Sequence, residues 1–174
     1  VGKTRLLDEV AKSIARQGGR LLRGRAHESE RARPYGAFAD ALRGAPVDEI
    51  HGRHRAALAA LVPGLGRAME RVSDRAELFD ALASAFAAPS DAPVTAVLLD
   101  DLQWFDEASV ALLHHLVSEP RPRLVVAGTV RRAELGDNLP AVRMLRGLTR
   151  GGRVNEVEVG PLSPDETVEL ARSV

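Results

Sequence analysis

The segment PVTAVLLDD, residues 93–101, constrains the fold more than any other part of the chain. It is a continuous, partly β-branched apolar run bounded by a proline and a pair of aspartates, the pattern of a strand buried on both faces. Such a strand needs helices above and below its sheet. RLVVAGT, residues 123–129, repeats the pattern, RLLRGR at 20–25 reads as a shorter strand, and RVNEVEVGPL at 153–162 reads as a last one. Helical stretches separate them, so the expected fold is α/β, a mostly parallel sheet covered on both faces. At 174 residues and 45% hydrophobic, the chain suffices for one domain with a real core.

The helices announce themselves by spacing and by their ends. Leu6, Leu7, Val10, Ala11 and Ile14 recur at helical intervals, and the glycines of QGGR, residues 17–20, supply the stop. Pro34 is placed to start a helix in PYGAFADALR. Between Ala45 and Pro93, prolines and glycines alternate with helical stretches and no strand pattern occurs, which predicts a helical insertion beside the sheet. Asp106 is placed to cap DEASVALLHHLVSE, and LPAVRMLRGL is a further short helix. Ser163, Pro164 and Glu166 form a capping box for a helix that runs to the end of the chain.

Composition removes several classes of function. Basic and acidic residues balance at 24 each, so no global field draws the chain to nucleic acid or an anionic membrane. The arginines are spread along the chain and matched by acids, which argues against a nucleic-acid groove. Without cysteine there is no disulfide, thiol nucleophile or thiolate metal site, which suits a reducing cytoplasm. No apolar run approaches a membrane span.

Two places carry chemistry. The chain opens VGKT, and Gly2, Lys3 and Thr4 stand at the start of an amphipathic helix, where free backbone N–H groups and the helix dipole favour a phosphate. There Lys3 would reach the β- and γ-phosphates and the Thr4 hydroxyl would ligate Mg²⁺. The plain alternative is a solvated first turn. In AVLLDDLQWFDEAS, an acid leaving a buried strand lies on the ligand-binding edge of an α/β sheet, so Asp100 could hold Mg²⁺ through water. Asp101 would then orient or deprotonate an attacking water. Two acids here, downstream of G-K-T, outweigh a merely capping role.

VGKT, VLLDDLQWFDEASVALLHHL, VVAGTVRR and VEVGPLSPDE, in that order, resemble the nucleotide-binding domain of STAND-type P-loop ATPases. The similarity is nearest to the AAA-type ATPase modules of large ATP-binding LuxR-type regulators and of cyclase- or kinase-associated ATPases. RGRAHESERARPYGAFADALR also resembles the segment those modules carry after their second strand.

The resemblance implies a three-layer P-loop NTPase fold, with residues 1–162 as a partial core lacking its first strand and 163–174 as the start of a truncated helical lid. It implies nucleotide contacts from Val1, Gly2, Lys3, Thr4 and Arg5, Mg²⁺ ligation by Thr4 and Asp100, water activation by Asp101, and a sensor arginine at Arg131. The family's GTYR is GTVR here, with Val130 replacing tyrosine and Arg132 as the alternative sensor. The expected activity is slow hydrolysis of Mg·ATP in a cytoplasmic regulatory switch of a larger signalling or transcription-regulatory protein. ATP and ADP, the domain's own lid and sensor regions, and a second copy in the ATP state are the implied partners. DNA would be met only through a separate domain, and no membrane is implied. The family's strand order, 5-1-4-3-2, would leave a gap where the first strand belongs, so these 174 residues alone are expected to bind ATP poorly and to be inactive. The alternatives are a non-hydrolysing nucleotide sensor or interaction module and a receiver-type scaffold; the latter fits poorly because the only lysines are Lys3 and Lys12.

Other features read as structural. His114 and His115 diverge on a helix, and His51 and His54 have no further ligand beside them. Trp104 and Phe105 read as packing against neighbouring helices, and Tyr35 could lie near the nucleotide.

Overall fold

The computed structural model describes residues 2–31, 33–45, 52–59, 61, 75–87, 91–119 and 121–172. Three parallel strands form one sheet in the order β1-β2-β3: β1 (Arg20–Arg25), β2 (Thr95–Asp100) and β3 (Leu124–Gly128). Every residue of β2 is buried, as its apolar run demands. Helix α1 (Lys3–Arg16) covers one face, where Leu7 and Ala11 pack on Ala96 and Leu98. On the other face lie α2 (Gly36–Leu42), α3 (Gly52–Leu58), α4 (Arg75–Phe86), α5 (Glu107–Ser118) and α7 (Leu139–Arg150), packed over Leu22, Val97 and Leu99. Helices α6 (Arg132–Leu135) and α8 (Pro164–Arg172) are the remaining α-helices among the described residues. The α/β architecture read from the sequence is therefore the one observed.

Among the described residues between 45 and 93, α3 and α4 are helical and no strand occurs, although part of this span lies outside the description. Helix α4 is more than an appendage: Leu78, Leu82 and Phe86 enter the main core. Helix α2 approaches β1 so closely that a Cβ at Gly24 would lie 2.0 Å from the Ala37 carbonyl oxygen. Only glycine fits between those two backbones.

The caps appear where the sequence places them. The Asp106 side chain accepts from Ser109 N at 2.9 Å. Ser163 and Glu166 exchange bonds reciprocally, Ser163 N donating to Glu166 Oε2 at 2.7 Å and Glu166 N to Ser163 Oγ at 3.2 Å. Helix α2, however, starts at Gly36 rather than at Pro34, because Tyr35 turns left-handed (φ 61°) while its N–H donates to Asp106 Oδ2 at 3.2 Å.

Two strand readings need correction. No residue of β3 is fully buried, and Val125 is 46% exposed, because β3 pairs with β2 alone and α1 leaves this part of the sheet uncovered. Residues 153–162, read as a last strand, join no sheet among the described residues. An alternating pattern makes a strand only where a neighbour takes up its N–H and C=O groups, and none does so here. The segment instead passes the start of α1, with Val159 Cγ1 3.8 Å from where a Cβ on Gly2 would stand. Among the described residues no helix is long and apolar enough to cross a membrane.

Candidate functional site

The site forms where the parallel strands end together. Arg25 stands opposite Asp100 in the ladder, and the chain leaves β3 one residue before Thr129. The first turn of α1 reaches the same edge: Thr4 Oγ1 donates to Asp100 Oδ2 at 2.9 Å. Thr129 Oγ1 donates to the other oxygen of Asp100 and accepts from Asp101 N at 3.1 Å. Gly2 caps α1 in the left-handed region (φ 95°), where its carbonyl accepts from Leu6 N at 2.8 Å. No side chain caps this helix end, so its first N–H groups are available to an anion.

Asp100 and Asp101 are adjacent and both buried, yet their surroundings differ. Hydroxyls hold Asp100, with Arg25 Nε at 3.9 Å from its Oδ2, while two guanidinium groups flank Asp101 more closely. Arg25 donates to Asp101 Oδ2 from Nε at 3.1 Å and from a terminal nitrogen at 2.9 Å. Arg131 Nε lies 3.4 Å from Asp101 Oδ1, and its terminal nitrogen donates to Glu134 Oε1 at 3.2 Å. The hydrogen bond to Glu134 and the charges of Glu134 and Asp101 raise the guanidinium's pKa further above its ordinary value. Asp101 itself is left-handed (φ 62°, ψ 51°), a conformation that costs a non-glycine residue about 1 kcal/mol and persists only where neighbours enforce it. Leu102 N on the Thr129 carbonyl and Trp104 N on the Asp101 carbonyl, both 2.9 Å, do so.

A 3-10 turn, Leu102–Trp104, follows. Gln103 within it is fully buried, its amide donating to Asp101 Oδ1 at 3.0 Å and to Glu134 Oε2 at 3.2 Å. Asn138, the cap of α7, holds the turn from behind by donating to the carbonyls of Gln103 and Phe105 at 3.1 and 2.7 Å.

Of the residues singled out in the sequence, Gly2, Thr4, Asp100, Asp101 and Arg131 come together at this edge. Val1 lies outside the described residues. Lys3 begins α1, with no hydrogen bond or ion pair from its side chain among the described residues. Arg5 turns along the helix to Glu9 at 3.5 Å, on the exposed side. Arg132 points away and pairs with Glu156 at 3.1 Å, so of the two candidate sensors only Arg131 stands on the acid pair. Phe105 packs edge-on against Phe38 of α2, and Tyr35 meets Phe79.

Sequence reasoning missed Arg25, Thr129, Gln103 and Glu134. A signal existed for the first two. Residues that end neighbouring parallel strands share one edge, so aligning the strand ends would have set Arg25 and Thr129 beside Asp100. Gln103 and Glu134 meet only through the turn and α6.

Thr4 and Asp100 offer hard oxygen donors, which suit Mg²⁺. The Thr4 hydroxyl spends its hydrogen on Asp100 Oδ2 at 2.9 Å, so its oxygen lone pairs would remain for Mg²⁺, which Asp100 would hold through a bound water. Among the described residues no three His, Asp or Glu side chains cluster as a metal site. One threonine and one carboxylate match the sparse protein ligation typical of Mg²⁺ on a phosphate substrate.

A parallel sheet, an uncapped helix start and an acid–threonine contact at the strand ends define a P-loop NTPase-like fold. The family model for the AAA ATPase domain matches residues 1–126, and the chain belongs to that family of nucleotide-binding modules. No curated protein and no solved structure gives a match.

Proposed function

We propose that this domain binds Mg·ATP, hydrolyses it slowly and serves as a regulatory switch in a larger signalling or transcription-regulatory protein. The observation that carries the reading is the 2.9 Å contact between Thr4 Oγ1 and Asp100 Oδ2 at the open start of α1. It joins a threonine suited to phosphate-bound Mg²⁺ with an acid suited to the same ion. The N–H groups of the α1 first turn and the Lys3 ammonium bind the phosphates, and Thr4 and Asp100 hold Mg²⁺. That ion neutralises phosphate charge. Asp101 orients the attacking water and accepts its proton, and Arg131 swings from Glu134 and Asp101 toward the γ-phosphate.

A switch needs two conformations with different affinities for ATP and ADP. Arg131 supplies the local difference, since it can face either the carboxylates or the phosphate. Helix α8, which buries none of its residues, is the start of a lid that responds to the change. Self-association in the ATP state and DNA contact through a separate domain complete the reading.

Mg·ATP titration of the full-length protein beside its Lys3→Ala variant tests this. Saturable binding is expected, weakened about tenfold or more by the substitution, because a point charge on the phosphates is lost. Absence of binding by the unsubstituted protein would sink the reading. One observation favours the non-hydrolysing alternative: both Asp101 oxygens already have side-chain partners, Gln103 on one and Arg25 on the other. Turnover unchanged in Asp101→Asn would decide for a pure sensor.

A further inference from the structure

We propose that Gln103 is a positioning residue that aims the Asp101 carboxylate and ties that aim to the backbone of the Arg131 loop. The inference rests on the reading of Asp101 as the water-activating acid. Its basis is the bonding of one buried amide. Nε2 donates to Asp101 Oδ1 at 3.0 Å and to Glu134 Oε2 at 3.2 Å, while Oε1 accepts from Arg131 N at 3.1 Å. All the amide's donor hydrogens are used, and its oxygen has a partner. The reversed amide would turn its carbonyl toward two carboxylates and its NH₂ toward an N–H, so only one orientation agrees with the surroundings.

Three parts of the site thus meet on one side chain: Asp101 after β2, the Arg131 backbone after β3, and Glu134 on α6. Arg131 and Glu134 also bond to each other, closing a ring of four residues in which Gln103 is the one neutral member. When Arg131 leaves Asp101 and Glu134 for a phosphate, Gln103 remains on Asp101 Oδ1. It keeps the carboxylate aimed and transmits displacement of the Arg131 backbone to it. An apolar side chain of similar size fills the space and transmits nothing.

The test compares the full-length protein with Gln103→Leu and Gln103→Glu, in three arms. Without nucleotide, the Arg131 amide is protected from hydrogen exchange in the unsubstituted protein. In Gln103→Leu its exchange rises about tenfold while the β2 amides keep theirs. In steady-state turnover of Mg·ATP, Gln103→Leu lowers kcat about tenfold or more with KM within about threefold, the signature of lost positioning rather than lost binding.

In Gln103→Glu the introduced carboxyl faces two other carboxylates. That neighbourhood raises its pKa, so it donates a bond only while protonated, and the variant's kcat falls with rising pH where the unsubstituted protein's does not. Unchanged Arg131 exchange, a kcat within about twofold of the original, or a flat Gln103→Glu pH profile would each overturn the proposal. Should Gln103→Leu fail to fold, the near-isosteric Gln103→Glu profile decides alone. If the unsubstituted protein binds but never turns over Mg·ATP, the hydrolytic reading fails, and the exchange arm alone upholds or refutes the tie.

Discussion

The two flanks of β2 are built on different terms. Toward β1 the contact is closed: Arg20 to Arg25 pair in register with Thr95 to Asp100, and α2 presses its backbone onto Gly24. Toward β3 it is open: Val125 stands half exposed, residues 153–163 join no sheet among the described residues, and α8 buries nothing. The acid pair sits on the seam, with Asp101 held by Arg25 from the closed side and by Arg131 from the open side. The β3 side is packed on one face only, where α7 and the partly buried Leu124 and Val126 join the core, and its other face stands half exposed at Val125.

The sharpest way to break this contrast is a single added methyl group on each flank. Gly24→Ala would force the Ala37 carbonyl away from a Cβ standing 2.0 Å from it. We expect a loss of about 2 to 3 kcal/mol in urea unfolding. A loss below about 0.5 kcal/mol would mean that α2 is not locked to β1.

The same change on the open side should have the opposite sign. Gly147 lies within α7, and a Cβ there meets nothing within 4 Å. Gly147→Ala is therefore expected to stabilise by about 0.5 to 1 kcal/mol through the unfolded chain's lost freedom. Destabilisation instead would reveal a neighbour over α7 that the described residues do not include.

The smallest effect concerns α8. The Ser163 backbone N–H donating to Glu166 Oε2, and then the Ser163 side chain, hold the Glu166 carboxyl below its ordinary pKa. A depressed carboxylate pKa supports the helix above the unfolded value, and that support disappears as pH falls through the folded value. Protection of the α8 amides, taken relative to their intrinsic exchange rate at each pH, should thus fall on acidification below the usual glutamate range, while protection in β2 stays constant. Glu166→Gln should flatten this dependence; a steep one in the variant would assign it to another acid.

How far the sequence foretold the molecule follows the same border. Strand β2 was legible because burial on both faces writes itself as an unbroken apolar run. Helix α1 was legible from spacing and its glycine stop, and the Asp106 and Ser163 caps from bonds made within four residues. What failed depended on neighbours. NEVEV alternates like a strand, yet strandedness is a relation between two chains of backbone groups, and a pattern cannot state whether the second is there. In the candidate site, residues next to one another in sequence or in a familiar motif were found. Arg25, 76 positions from Asp101, was not, because only parallel register brings it there.

Trp104 gives this arrangement an optical consequence. It is the only tryptophan among the 174 residues and follows Gln103 directly, with the Arg31 guanidinium 5.0 Å above its ring. Indole emission from the protein therefore originates at one point, beside the acid pair and under a charge to which its colour and yield respond. Any rearrangement of that short turn can be followed in the protein's own ultraviolet light, without a label and on the timescale of stopped flow.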